Sequence, residues 1–527
     1  MTATPGLRRV GAEPYDEMPA ADARSAPGRV HRVLSRLGPE GLEERARLRD
    51  AYLDRQGITF SLSGRERPLP MDLVPRVIGA EDWRHLEAGV AQRIRALEMF
   101  LEDIYGVGDV LADGIIPRHL VVSSTHYHRQ AWGLQPPNGV RIHVAGVDLV
   151  RDAEGVFRVL EDNLRNPSGV SYVLENRRAL AHVLPEVFSG HRVRPVAEYP
   201  ERLLDALRAA APAHVMDPVV AVLTPGVHNS AHFEHAFLAR RMGIELVEGR
   251  DLYCRDNLVW MRTTQGPRPV HVLYRRIDDD FLDPVQFRPD SVLGVPGLVN
   301  AARAGNVTIA NAVGNGVADD KAIYPYVPAL IRFYLGEEPL LPNVETYDLQ
   351  QPDVLEWVVE RLDRMVIKPV DGSGGYGLVM GDRASDGQLA EVASVIRRDP
   401  RGWIAQPIVT LSTSPTVVED GSLAPRHVDL RPFAVNDGRQ VYVLPGGLTR
   451  VALPEGSMVV NSSQGGGSKD TWVLEDGSGP TQRPEPRRTR ARRRITPLPS
   501  RADAPKTHDE RLRQQEAQQQ QAGGSPC

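Results

Sequence analysis

The sequence predicts a mixed α/β and α+β chain with loose ends, and three observations predict it. Between Val219 and Gly249 a short apolar run that ends in a turn, VVAVLTPG, is followed by a helical stretch and a second apolar run, IELVEG. That is the strand–helix–strand order of an α/β unit. From Val366 to Val435, short apolar runs succeed one another around a glycine-rich turn, with one helical stretch among them. Residues 1–28 and 477–527 lack periodicity and are rich in Ala, Pro and Gly or in Pro, Arg and Gln, which predicts disordered tails.

In chain order, folded sequence is expected from about Val30. Leu86, Val90, Ile94, Leu97, Leu101 and Ile104 recur at helical spacing, and Gly106 stands where a C-terminal cap belongs. DLVPRVIG is too short to assign. From about Leu120 the pattern changes, and HLVVSS, RIHVAGVDLV and VFRVLE read as strands. Val219–Leu223 is a strand, His232–Met242 a helix, and IELVEG and VHVLYRRI are further strands. VIKPV then reads as a strand, DGSGGYG as a turn and LVMG as the returning strand. Leu389, Val392 and Ile396 mark a helix, and WIAQPIV and HVDLRPFAV are strands. No internal repeat is evident.

Composition sets the outer bounds. At about 150 residues per domain, 527 residues make three to four domain-sized pieces. Apolar residues are 41% and charged residues 25%, ordinary for a soluble chain with a sizeable core. No run of about 18 apolar residues occurs, and the first residues lack a signal-peptide core, so a cytoplasmic protein without a membrane span is expected. Two cysteines, Cys254 and Cys527, exclude a disulfide framework and a Cys-rich zinc site. The net charge of -5 gives no general case for nucleic acid. The basic run RRTRARRR, Arg487–Arg494, could meet RNA, membrane phosphates or an acidic partner, but it reads more simply as a solvated extension.

Chemistry concentrates in two places. Gly372, Gly374 and Gly377 satisfy G-x-G-x-x-G, but LVMG follows where a dinucleotide fingerprint needs a helix, and no G-K-[ST] follows as in a Walker loop. The loop therefore joins two antiparallel strands. It is either an ordinary surface hairpin or a flexible cover whose bare N–H groups approach phosphate oxygens. Lys368, on the apolar strand just before it, favours the phosphate, because a lysine there is costly to bury without an anion. Lys321, in NGVADDKAIY, is a second cation of the same use. The other place is VDLVRDAEGVFRVLEDNLRNPSG. Asp148 ends one strand and Glu161 the next. Asn163 follows two residues on, on the same face if the strand continues. Two carboxylates and an amide oxygen form a hard set suited to Mg²⁺, and the alternative is a polar β-turn with Asn163 as turn former.

VIKPVDGSGGYG, AQPIV, DLRPF and EDNLRNPSG together resemble the nucleotide and metal motifs of ATP-grasp ligases. The E-x-N motif, which usually comes last, here precedes Lys368. The order is thus rotated, as in the circularly permuted ATP-grasp type 2 family, and the chain is more distantly similar to the synthetase part of glutathionylspermidine synthase. The resemblance spans roughly Pro70 to Val473. It implies a helical lead-in plus metal-binding part over 29–200, a substrate domain over 201–310, and a nucleotide-binding part over 311–476. It further implies ATP phosphates on Lys321 and Lys368, covered by Gly372, Ser373, Gly374, Gly375 and Gly377. Adenine would lie beside Gln406 and Ile408, Arg431 would reach a phosphate, and Asp148, Glu161 and Asn163 would hold Mg²⁺. One departure stands out. An arginine expected two residues before the metal aspartate is Gly146 here, and Arg151 or Arg165 is the candidate replacement.

The activity implied is an ATP-dependent carboxylate–amine ligase working through an acyl phosphate, with a small-molecule or peptide carboxylate and an amine as partners. A phosphotransferase or a non-catalytic ATP-binding scaffold are the alternatives. Arg275 and Arg276, before Asp278, Asp279, Asp280 and Asp283, are either a clamp for a substrate carboxylate or an internal ion-pair network. Gly465–Lys469 is a candidate second anion loop. His228, His232 and His235 are read as zinc ligands, substrate contacts or, most simply, packing, and His126 and His128 as structural.

Overall fold

The computed structural model describes residues 13–19, 25–62, 65–68, 70–188, 190–372, 377–460, 465–476, 515 and 518–519. Helix α1 (Ala26–Gln56) kinks at Gly38–Pro39, and α2 (Ala80–Ile104) carries Glu81 and Asp82 in its first turn, where acids suit the helix dipole. Strands β1 (Val144–Arg151) and β2 (Phe157–Asn163) precede α3 (Val170–Val183). Then come β3 (Val220–Leu223), α4 (His232–Met242), β4 (Glu245–Val247), β5 (Val272–Arg275) and β6 (Thr308–Ala310). The remaining elements used below are β7 (Tyr347–Asp348), β8 (Met365–Pro369), β9 (Val379–Met380), α5 (Asp386–Arg398), β10 (Trp403–Pro407), β11 (Phe433–Asn436) and β12 (Val441–Val443).

Three four-stranded sheets organise the chain. One is parallel in the order β6-β5-β3-β4, the α/β unit expected from the sequence. A second, antiparallel, has the order β7-β10-β8-β9, and β8 and β9, on either side of the glycine-rich stretch in sequence, form an antiparallel pair. The third has the order β12-β11-β1-β2, so strands nearly 300 residues apart complete one sheet. That pairing is the physical form of the rotated motif order.

Burial follows the helical spacing. Leu86, Val90, Ile94, Leu97, Leu101 and Ile104 line the inner face of α2 in the largest apolar cluster. The helix ends at Ile104 and its cap is Tyr105, one residue before Gly106. α5 starts in a reciprocal cap, Ser385 with Gln388. Among the described residues no helix is long and apolar enough to cross a membrane.

Two local expectations are corrected. HLVVSS contains a short helix, Arg118–Val122, because burying Leu120 and Val121 on one side outweighs the strand preference of its valines. Within residues 1–28, residues 13–19 are not loose. Glu17 is buried against Arg76, Arg151 and Ser412, and Asp16 pairs with Thr413. In the C-terminal tail, Gln518 and Gln519 are buried as well. The basic run Arg487–Arg494 lies outside the described residues.

Candidate active site

The β1–β2 register pairs Asp148 with Glu161 and Gly146 with Asn163, which sets both acids and the amide on one face. Asp162 points to the other face, where Arg93 grips both its oxygens at 2.6 and 2.7 Å. The side chain of Asn311 fixes the two strands in place. It accepts from the His143 and Val144 N–H groups at 2.7 and 2.9 Å and donates to the Val144 and Leu164 carbonyls at 2.6 and 2.8 Å. Glu234 of α4 caps α3 by accepting from the Gly169 and Ser171 N–H groups at 2.8 and 3.0 Å.

The two facing carboxylates meet different surroundings. Asp148 is 1% exposed and accepts from Arg431 Nη2 at 2.9 Å, Arg450 Nη2 at 2.6 Å and Asn163 Nδ2 at 3.4 Å. Burial alone would raise its pKa, but the two guanidinium groups hold it well below the usual carboxylate range. Arg450 in turn grips Asp429. Glu161 is partly open, with Lys321 Nζ 3.8 Å away.

The cations come from the other side. Lys321 donates to the Gly372 carbonyl at 2.5 Å. Lys368, half-buried on β8, donates at 2.7 Å to the neutral amide oxygen of Gln406, which itself donates to Thr346. Burial, with Lys321 adding repulsion, pushes Lys368 down to about 8 although Glu161 draws it up. A small polar pocket of about 20 Å³ lies between the two sides, lined by Glu161, Asn163, Arg165, Lys321, Gly372 and His126. It has room for about one water-sized group. Burial, then the positive charge of Arg165, pushes His126 down to about 2, so its ring is neutral.

The expected residues divide clearly. Glu161, Asn163, Lys321 and Gly372 line the pocket, and Lys368, bonded to Gln406, lies near enough to feel the charges of Glu161 and Lys321, while Ser373, Gly374 and Gly375 lie outside the described residues. Ile408 sits just past β10, with its N–H bonded to the Arg364 carbonyl at 3.1 Å. Of the two candidate arginines, Arg165 lines the pocket and pairs with Asp319 at 2.8 Å. Burial pushes Asp319 up to about 6 even so. Arg151 is corrected: it is held at the far end of β1 by Glu17, Asp82 and the ring of Tyr15.

Arg431 is corrected too, because its Nε and Nη2 are both committed to Asp148 and its Nη1 donates to the Ser168 carbonyl at 3.3 Å. Its stem fills the space over Gly146, where a Cβ would lie 3.3 Å from Arg431 Cδ. Arg275 and Arg276 form the internal network instead of a clamp. Arg275 donates to the carbonyls of Asn311, Ile277 and Ala312 and pairs with Asp279, and Arg276 pairs with Glu234. Lys469 is buried on Asp72 and the Pro415 carbonyl, so it offers no free cation to an anion. His235 bonds Thr224 at 2.9 Å, and no cluster of three metal-ligating side chains occurs among the described residues. Sequence reasoning missed Arg450, Asp429 and Asp319. Asp429 opens DLRPF and Asp319 stands two residues before Lys321, but no local pattern pairs them with Arg450 and Arg165, or Arg450 with Asp148.

Residues 75–452 match the family described as circularly permuted ATP-grasp type 2. The chain belongs to that family. An uncharacterised protein of Mycobacterium tuberculosis is 63% identical over 470 residues, covering 88% of this chain and 85% of that one. An uncharacterised Synechocystis protein is 50% identical, covering 88% and 97%. A Frankia casuarinae protein, provisionally named glutamate–cysteine ligase 2-2, is 48% identical over 89% of this chain, which spans 54% of that protein. Among solved structures, a glutathione synthetase-like effector from Globodera pallida in its apo form aligns with a TM-score of 0.55 at 12% identity. The alignment covers 83% of this chain and 98% of that one, a likeness of fold. The circularly permuted ATP-grasp order thus agrees with the way β11 and β12 complete the β1–β2 sheet.

Proposed function

We propose that the protein is an ATP-dependent carboxylate–amine ligase. The observation that carries this is Lys368. It is a half-buried ammonium whose bond among the described residues is to a neutral amide, and it stands with Lys321 opposite the open carboxylate of Glu161. Such a cation calls for an anion. The family match and the ligase name borne by the Frankia relative support a triphosphate as that anion.

In this reading Lys321 and Lys368 offset phosphate charge. The Lys321 ammonium, now bonded to the Gly372 carbonyl, would exchange that bond for a phosphate oxygen. Glu161 and Asn163 would hold Mg²⁺, which would supply positive charge to offset that of the phosphates. Asp148, saturated by two arginines, steadies Asn163 instead of supplying free oxygens. A substrate carboxylate oxygen attacks the γ-phosphorus and the bond to ADP breaks, leaving an acyl phosphate. An amine then attacks the acyl carbon, phosphate departs, and the amine nitrogen loses a proton. Arg165, at the pocket wall, is placed to meet charge on the transferring group. No nucleophilic side chain is required, so the work is positioning and charge compensation.

Titration calorimetry with ATP·Mg²⁺, followed by ADP and phosphate release with panels of acids and amines, tests this. Binding is expected to weaken at least about tenfold in Lys368→Ala, as for a lost charge-assisted contact. Free phosphate should appear only with both substrates. Label from γ-phosphate retained on an acceptor would instead identify a phosphotransferase. Absence of ATP binding, or unchanged binding in Lys368→Ala, would overturn the reading.

A further inference from the structure

The carboxyl edge of the parallel sheet carries a second set of directed polar groups, none of them bonded to Lys368 or Glu161. The turn after β3 passes through Gly226 at φ 118°, and a Cβ there would lie 2.4 Å from Gln519 Nε2. The His228 N–H donates to Gln519 Oε1 at 3.2 Å. Asn229 Nδ2 donates to the Gln519 main-chain oxygen at 2.9 Å, while Asn229 Oδ1 accepts from the Ala231 N–H and so fixes the amide. Between β5 and β6, the Asp290 carbonyl accepts from Gln518 Nε2 at 2.8 Å and the Val292 N–H donates to Gln518 Oε1 at 2.9 Å. After β4, Glu248 accepts from Gln515 Nε2 at 3.2 Å.

Three glutamines at positions i, i+3 and i+4 therefore face the loops that follow three neighbouring strands. Gln518 and Gln519 are each 3% exposed. The carboxyl edge is where open α/β sheets receive their ligands.

We propose that this edge is a recognition site for a glutamine-bearing helical segment, and that its occupant is the chain's own C-terminal segment, bound in cis. The chemistry selects the carboxamide. At Gln518 the site offers one acceptor and one donor side by side, a pair that an amide answers and a carboxylate does not. A glutamate there would set an anion against the Asp290 carbonyl. At Gln519, only glycine at 226 leaves room for the amide. The occupied edge is closed to other ligands, so any substrate that uses it must first displace the segment. The proposal stands apart from the ATP reading, since none of these contacts involves the cleft.

Hydrogen exchange on the full-length chain tests it. Protection of the His228 and Val292 N–H groups should fall about tenfold in Gln518→Glu/Gln519→Glu, as for loss of a buried hydrogen-bond pair, with exchange in β8 unchanged. A labelled synthetic peptide of residues 509–523 should then bind that double variant, and the same peptide with glutamate at 518 should bind at least about tenfold more weakly. Unchanged protection in the double variant, or equal binding of the two peptides, would overturn the proposal. The chain has enough length beyond Asp476 to reach a neighbouring copy as well. Protection that grows with protein concentration would assign the segment to a second copy and refute the cis assignment.

Discussion

Asp148 and Glu161 face each other across one strand pair, yet they differ in almost every physical respect. Asp148 is 1% exposed and held by two arginines from far along the chain. The Glu161 side chain is 27% exposed, with a single ammonium 3.8 Å away. Register gave the two carboxylates a common face, but the residues arriving from elsewhere decide what each can do. One acid is satisfied by the protein. The other is left for something the protein binds, so within a pair that looks equivalent in sequence the structural and chemical duties are divided.

The largest consequence concerns the satisfied acid. Asp148→Asn leaves Arg431 and Arg450 buried with one carboxylate, Asp429, between them. Removing one partner from a buried network costs about 3–5 kcal/mol. Urea unfolding should show a loss of that size, and Arg450→Met should fall in the same range. A variant as stable as the parent would mean that the network does not hold this sheet together, and the contrast with Glu161 would disappear.

Glu161→Gln should behave in the opposite way. Its pairing with Lys321 is long and partly open, so stability should change by less than about 1 kcal/mol. Turnover of ATP with Mg²⁺ should fall about 100-fold, the scale for losing one group that stabilises developing charge. The same two measurements on both variants sharpen the comparison. A stability loss in Glu161→Gln equal to that in Asp148→Asn would show that the two acids share one structural role.

What the sequence made legible was local. The β3–α4–β4 unit and the β8–β9 hairpin were readable because alternation, helical spacing and turn residues lie within a few positions of one another. Reading Glu161, Asn163, Lys321 and Lys368 as one site required the family resemblance, because no periodicity links positions so far apart. Arg450 was illegible: it sits in a three-residue strand, and its bond to Asp148 spans 302 positions. Arg275 and Arg276 stay open in sequence between a clamp and an internal network for the same reason. Their sequence shows a fork beside acids, but not the carbonyls of Asn311 and Ala312 that fold over Arg275. In sequence the glutamines of the tail are part of a stretch that predicts disorder, and only the loops at the sheet edge give their i, i+3, i+4 spacing a meaning.

The smallest expected effect is a pH dependence at Lys368, and it bears on the same pair of acids. Burial, the largest influence, and the charge of Lys321 lower Lys368 to about 8, against an ordinary value of 10.5, while Glu161 raises it more than Asp148 does. Between those two pH values the unfolded chain binds the proton and the folded chain does not. The group's destabilisation is therefore complete below pH 8 and is relieved as pH rises toward 10.5. ATP affinity should run the other way, falling up to about tenfold from pH 7 to pH 9 as the ammonium is neutralised. In Lys368→Arg the profile should be flat, since a guanidinium stays charged throughout. In Glu161→Gln the midpoint should move lower still, because the carboxylate that most favours the ammonium is gone. Calorimetry of ATP binding across this pH range checks all three, and a midpoint unmoved in Glu161→Gln would show that the open acid does not act on Lys368.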